Sequence, residues 1–409
     1  MLMAPNNLVA LAAQIREALA SPQTLIAESK AEEEARLDII DMIPDLNRTL
    51  NGEFQTLRDT AWSFMSVLSL NTISHFDLAR LVPLDGEISY AELASKSGMG
   101  LVALRQLVRH AITNKIFREP SKDVVAHTPA SRLLVEDKKS SALISYLTDT
   151  LKLSAAHECD ALQRWPGSQS PAETGLSIAV GNPGQTSLYD ILKNDVRQKE
   201  RFSDAMEVWT GGTGFGVEPL VEGYDWGKLA EGTLVDVGGA NGFVSAAIAK
   251  VYPSLNIIVQ DVVMTEAMKS EHPHPNIKFM THDFFTPQPI KDADVYLYRW
   301  IFHNWADDKC IEILRNAIPA LKPGAKILIN DGCLPEPGSV RWSEERMARN
   351  VDVAMLLTMN AKEREQADWQ ALFEKADARF KYLGARRPEG SHMWIIEAVW
   401  EGDNADTLT

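Results

Sequence analysis

Cysteine is scarce in this chain of 409 residues: Cys159, Cys310 and Cys333 are the whole set, and no two are spaced as CxxC. A sparse, odd set of this kind excludes a disulfide framework and a cysteine-built structural zinc site, and it suits three reduced thiols in a cytoplasmic protein. Positive charge is also in short supply. Lys and Arg total 41 against 56 Asp and Glu, a formal net charge of −15. A surface that acidic repels phosphate backbones and anionic lipid, so neither nucleic acid nor a membrane is expected as a partner. No apolar run reaches the ~20 residues that would cross a bilayer. The opening "MLMAPNNLVALAAQIREALA" has no basic start followed by an unbroken apolar stretch, so no signal peptide is expected. Internal repeats and low-complexity tracts are missing as well. What remains is ordinary globular material, 45% hydrophobic and 24% charged, in a chain too long for one core.

The first half reads as helical. "NNLVALAAQIREALA", "AEEEARLDIIDMI" and "LRDTAWSFMSVLSLNTISHFDLARLV" each set apolar residues at helical spacing beside a charged face. The segment from "ISYAELASKSGMG" to "VVAHTPASRLLV" then gives two helices, a turn at Gly98 and two short strands ending in Thr128. Helix–turn–helix followed by a small hairpin is the winged-helix order, placed here at about residues 60–135. Its second helix, "LVALRQLVRHAI", is too aliphatic for a DNA groove and suits packing better.

Past "EGTLVDVGGANG" the pattern changes. Short apolar runs ("TLVDVGG", "LNIIVQD", "NIKFMTHD", "ADVYLYRW", "AKILIND") alternate with helical segments. That alternation predicts a parallel sheet covered on both faces, and "RFKYLGARRPEGSHMWIIEAVW" adds a hairpin at one edge. Two domains follow: residues 1–205, helical, and 206–409, α/β.

In such sheets a ligand sits at the carboxyl ends of the strands, where the strand order reverses. "LVDVGGANG" is a strand, then Gly238, Gly239 and Gly242, then a helix. The dinucleotide fingerprint GxGxxG is absent, since Val237 occupies the place of its first glycine. Asp236, expected at the mouth of this loop, would repel a pyrophosphate and suit a cationic ligand such as S-adenosylmethionine. The second strand ends at Asp261, where a carboxylate can accept from both ribose hydroxyls. The third ends in "THDFF", offering Asp283 and Phe284 to an adenine amino group and ring. Read singly, Asp261 could equally be a helix N-cap and Phe284 core. Three strand ends with compatible chemistry favour the joint reading.

"RWIFHNWADD" sets His303 between two tryptophans. It could be a metal ligand, a base or a satisfied core histidine. A metal needs further ligands, which the neighbouring Asn304 and Trp305 do not supply. The other spaced pair, His272 and His274, lies in a Pro-rich stretch without partner acids.

Taken in order, "VDVGGANG", "QDVV", "THDFF", "YRWIFHNWADDKC", "LKPGAKILINDGCLPEPG" and "NAKEREQADW" resemble the class I S-adenosylmethionine-dependent O-methyltransferases. The likeness is to the fungal secondary-metabolism branch, related to plant caffeate and flavonoid O-methyltransferases. The resemblance implies a Rossmann-like seven-stranded sheet, an N-terminal winged-helix-containing dimerisation domain, a homodimer and no catalytic metal. It implies that Gly238 and Gly239 line the methionine and ribose portion and that Asp261 holds the ribose. Asp283 and Phe284 would meet adenine, and Arg299 stands where plant relatives carry lysine beside the adenosyl group. His303 matches the catalytic base. Asp331, one methylene shorter than the plant glutamate, and Glu363, in "AKER" where the plant motif is "GGKER", match the acids that orient its ring. Met355 and Asn304 fall on the acceptor pocket. The same resemblance leaves an alternative open, because some fungal proteins of this kind act as pericyclases or dehydratases with the cofactor left intact.

Overall fold

The computed structural model describes residues 7–20, 26–212 and 214–402. Residues 1–6, the start of the stretch read against a signal peptide, lie outside them. Contacts divide the chain into two compact units, residues 1–64 with 337–346, and residues 65–336 with 347–409.

The smaller unit is helical. Ser29 caps the helix Lys30–Asn51 by accepting from the Glu32 N–H at 3.3 Å, and the Glu32 carboxylate accepts from the Ser29 hydroxyl in return. Arg341 is tied by ion pairs to Glu34, Asp38 and Asp41 of that helix. Ile39, Met42, Ile43, Leu46 and Leu50 recur at helical spacing along it, yet all are exposed, as are Phe54, Leu57 and Trp62 beyond it.

In the larger unit, helices Tyr90–Ser97 and Leu101–Thr113 meet at Gly98 and bury Leu93, Leu104 and Val108 against Ile73, Leu78 and Phe117. The expected hairpin is altered. Val124–Val125 pairs with Ile88–Ser89, and residues 118 and 126 share only an isolated bridge. Thr128 is not in a strand at all. It caps the next helix, Pro129–Glu136, through a reciprocal Thr128–Ser131 capping box.

The large sheet holds seven strands: β1 Thr233–Val237, β2 Asn256–Asp261, β3 Ile277–Thr281, β4 Val295–Arg299, β5 Lys326–Asp331, β6 Phe380–Arg386 and β7 Trp394–Trp400. Their order is β3-β2-β1-β4-β5-β7-β6, the first five parallel and β7 antiparallel to both neighbours. Alternate residues of the same strands feed two cores. Val235, Tyr296, Ile327 and Ile396 pack under helices Asp307–Ala317 and Gln366–Ala376, while Leu234, Ile257, Val295 and Leu328 pack under helix Phe243–Val251. Burial on both faces is why these strands read as unbroken apolar runs. The order reverses between β1 and β4, so the loops leaving those two strands diverge and open a crevice. No helix among the described residues is long and apolar enough to cross a membrane.

Candidate functional site

The loop after β1 is fixed from below. The Gly238 and Gly239 N–H groups both donate to the Gln260 carbonyl at 2.8 and 3.0 Å, and the Ala240 N–H donates to Asp261 Oδ2 at 3.1 Å. Asp236 does not stand at the loop's mouth as the sequence suggested. It is 1% exposed, accepts from the Ser245 hydroxyl at 2.6 Å, and lies beneath Gly239, where a Cβ would come within 2.7 Å of its carboxylate. Burial pushes its carboxyl up to about 6. The reason is the pleat: Asp236 faces the side covered by helix Phe243–Val251, so it braces the loop and leaves the ligand side to Gly238.

Gly238, Asp261, Asp283, Phe284, Ile301 and Trp305 line a cavity of about 480 Å³ at the ends of β1, β2 and β3. Its chemistry combines a carboxylate at the β2 end, an acidic rim at Asp283, and an apolar wall in which Phe284 and Trp305 meet edge to face. Vicinal hydroxyls, an aromatic base and a positive centre fit that donor set. Arg299 is placed otherwise than expected. Its guanidinium is buried, bonds Asn330 Oδ1 and the carbonyls of Phe215 and Gly216, and does not line the cavity. Burial lowers it to about 10, still well above neutrality. Unlike a lysine's point charge, the planar fork reaches two carbonyls and an amide at once, which draws it into the loop at 215–216.

A second cavity of about 200 Å³ adjoins the first and is walled by Phe202, Met206, Trp209, Met355 and Met359, with His303 on it. His303 belongs to a short 3₁₀ turn, Phe302–Asn304. Side chains hold that turn at both ends of its peptide groups. Asp331 Oδ2 accepts from the Phe302 and His303 N–H groups at 2.9 and 3.4 Å, and Arg364 donates to the Phe302 and Trp305 carbonyls at 3.0 and 2.8 Å. Among the described residues one acid meets the ring itself. His303 Nδ1 lies 2.9 Å from Glu363 Oε1, and the Glu363 N–H is anchored on Asp352 Oδ1 at 2.9 Å. Gly332 makes room, since a Cβ there would collide with the Glu363 carboxylate. Asp331, expected as a possible partner of the imidazole, binds backbone instead, because its short side chain at the β5 end stops under the turn. Nδ1 being taken, Nε2 is the nitrogen left for an acceptor.

Burial works against the charged form of His303, but the adjacent Glu363 carboxylate and the nearby Asp331 outweigh it, and the ring titrates above its ordinary value. Burial likewise pushes Asp331 up to about 6. Asn304, expected toward the acceptor, lines both cavities, with its amide nitrogen donating to the Trp300 carbonyl at 2.9 Å. His272 and His274 stay apart from all this. Among the described residues no group of three or more His, Cys, Asp or Glu comes together as a metal site.

Among the contributors that the sequence does not single out are Tyr189 and Trp300, which line both cavities, and Arg364. Tyr189 lines both cavities with 40% of its surface open. Desolvation by the residues packed around it, with Asp261 nearby, pushes its hydroxyl up to about 12, so it stays protonated.

Residues 175–379 match the model of a known family, the O-methyltransferase domain. The chain is 39% identical over 380 residues to a chlorophenol O-methyltransferase of Trichoderma longibrachiatum, covering 90% of this chain and 81% of that one. Among solved structures, OxaC superposes with a TM-score of 0.77 at 24% identity, covering 96% of this chain and 99% of that one. A pericyclic reaction enzyme shares the fold at a TM-score of 0.72 and 21% identity, covering 97% and 100%.

Proposed function

The chain belongs to the O-methyltransferase family, whose methyl donor is S-adenosylmethionine, and from that premise we propose that it methylates a hydroxyl of a small secondary metabolite with His303 as general base. The hydroxyl is phenolic, enolic or N-hydroxy. One observation carries the reading: a buried His303–Glu363 pair opens onto an apolar cavity that adjoins the cofactor cavity. S-adenosylmethionine, when bound, supplies an electrophilic methyl group, which the acceptor oxygen takes as the carbon–sulfur bond breaks toward sulfur.

The residues do the rest. Gly238, Asp261, Asp283 and Phe284 hold the donor, and the apolar walls around Met355 orient an aromatic acceptor with water kept out. Much of the rate then comes from holding two reactants in line. A phenol titrates near ~10 and free imidazole near ~6.5, so outright deprotonation is uphill. The raised value at His303 shortens that gap. Nε2 takes the proton as the oxygen bonds to carbon, and Glu363 stabilises the imidazolium through Nδ1. With methyl-labelled cofactor, label is expected in the product one-for-one with S-adenosylhomocysteine. Product without label, with the cofactor intact, overturns methyl transfer in favour of the pericyclase reading.

Two further expectations arise here. Asp261→Ala should weaken S-adenosylmethionine binding by ~1.5–3 kcal/mol, the range for a lost charge-assisted hydrogen bond. Calorimetry giving equal affinities would remove Asp261 from the site. We also propose that residues 1–205 dimerise the protein and that residues 206–409 carry the reaction. Supporting this, Ile39, Met42, Ile43, Leu50, Phe54 and Leu57 expose apolar surface that a lone chain would not be expected to leave in water. Light scattering should give twice the chain mass at micromolar concentration; a monomer there refutes the assembly.

A further inference from the structure

The two cavities share Tyr189, Trp300 and Asn304. A methyl group leaving a donor in one for an oxygen in the other must pass these three side chains. With the donor bound in the first cavity, its positively charged sulfur would lie near them. Asn304 has its amide nitrogen donating to the Trp300 carbonyl, so at the junction its amide oxygen stands with two aromatic rings.

Both rings are held. Tyr189 stacks on Trp305 with centroids 5.9 Å apart and planes 21° from parallel. Trp300 lies 4.9 Å from the His303 ring and 5.7 Å from Phe215. Its backbone sits at φ +56°, in the left-handed region that a bulky residue avoids. The conformation is pinned by the Trp300 N–H donating to the Asn330 carbonyl at 3.2 Å and by the Asn304 contact on its own carbonyl. Strain of this kind persists where the surroundings over-determine it, and here it sets an indole on the wall common to both cavities.

The geometry points to an aromatic collar, Tyr189 and Trp300, that recognises the cationic sulfonium of the methyl donor and so favours the donor over its neutral, demethylated product. The faces of both rings carry negative potential that attracts a cation and has no such hold on a thioether. The collar thus tightens binding before transfer and loosens it afterwards, which limits inhibition by the spent cofactor. This rests on the cofactor cavity assigned above.

Calorimetry on the full chain with S-adenosylmethionine and S-adenosylhomocysteine separately tests it. The ratio of the two dissociation constants, product over donor, should fall about tenfold in Tyr189→Leu and in Trp300→Leu, the order of a desolvated cation–π contact. Tyr189→Phe keeps the ring face and should keep the ratio. Asp261→Ala should weaken both ligands and leave the ratio as it was. A ratio unmoved in both leucine variants overturns the collar. So does a phenylalanine variant that loses as much as the leucine one, since that assigns the effect to the hydroxyl. If Asp261→Ala changes neither affinity, the cavity assignment fails first, a distinguishable result. Two collar positions are used because a melting curve can show either variant to be misfolded, and the other then decides.

Discussion

His303→Gln lowers turnover by ~10²-fold or more, the usual contribution of a positioned general base, and leaves S-adenosylmethionine affinity within about twofold of the wild type's. Affinity should survive because His303 lines the cavity proposed for the acceptor and not the one proposed for the donor. Glutamine fills similar space and can still hydrogen-bond Glu363, but it cannot carry a proton away. Undiminished label transfer in this variant would refute the role given to His303 without touching the transferase reading.

The pH profile supplies an independent measure. A base works only when neutral, so the acid limb of the profile falls at the pKa of the ring. Because Glu363 and Asp331 hold that value above the ordinary one, activity should still be rising as pH passes ~6.5, the unperturbed imidazole value. Glu363→Gln removes the larger of the two attractions. It should lower turnover and also move the acid limb toward lower pH. A limb that stays in place while turnover falls would assign Glu363 to packing alone.

How much of this could be read from the sequence depends on whether the signal was local. Strand ends are local: an apolar run followed by glycines or an acid marks β1, β2 and β3, so Gly238, Asp261, Asp283 and Phe284 were found at one cavity. Which face of a strand an acid occupies is not local, because it depends on what covers the sheet. Asp236 reads as facing the ligand for want of that information, and the structure sets it under the loop; Arg299, assigned to the adenosyl group by resemblance alone, lies against Phe215 and Gly216. Asp331 stops under the turn, because reach decides whether a carboxylate meets a ring or a backbone, and sequence alone gives no distance. Tyr189 comes from helix Leu188–Asn194, far upstream of the strands whose cavity it shares. No spacing rule connects it to His303.

The loss of Arg364 should cost the fold heavily, although nothing in the sequence distinguishes it beyond its place next to Glu363. A charged side chain is seldom expected at 0% exposure. Here the guanidinium has partners on every side: the Phe302 and Trp305 carbonyls, Asp307 Oδ1 at 2.8 Å from Nη2 and 3.1 Å from Nε, and the Trp369 ring 5.3 Å away. Arg364→Met keeps the length and apolar stem but removes all donors. Two carbonyls then lose their charged donor, the Phe302 carbonyl keeping the Trp305 N–H, and a partly buried carboxylate keeps Lys362 as its remaining ion-pair partner. Removing one member of a buried pair typically costs ~3–5 kcal/mol, most of it the penalty on the groups left behind. Denaturant unfolding should show a loss of that size, and Arg364→Lys a smaller one, since an ammonium keeps the charge but cannot span both carbonyls and the acid. The same loss should reach the chemistry, because Arg364 clamps the carbonyl side of the turn that carries His303. Cofactor affinity should hold while turnover falls. A methionine variant within about 1 kcal/mol of wild type, well below the ~3 kcal/mol floor for a broken buried pair, would mean that solvent or a rearranged Lys362 satisfies those carbonyls, and that the turn is held by Asp331 alone.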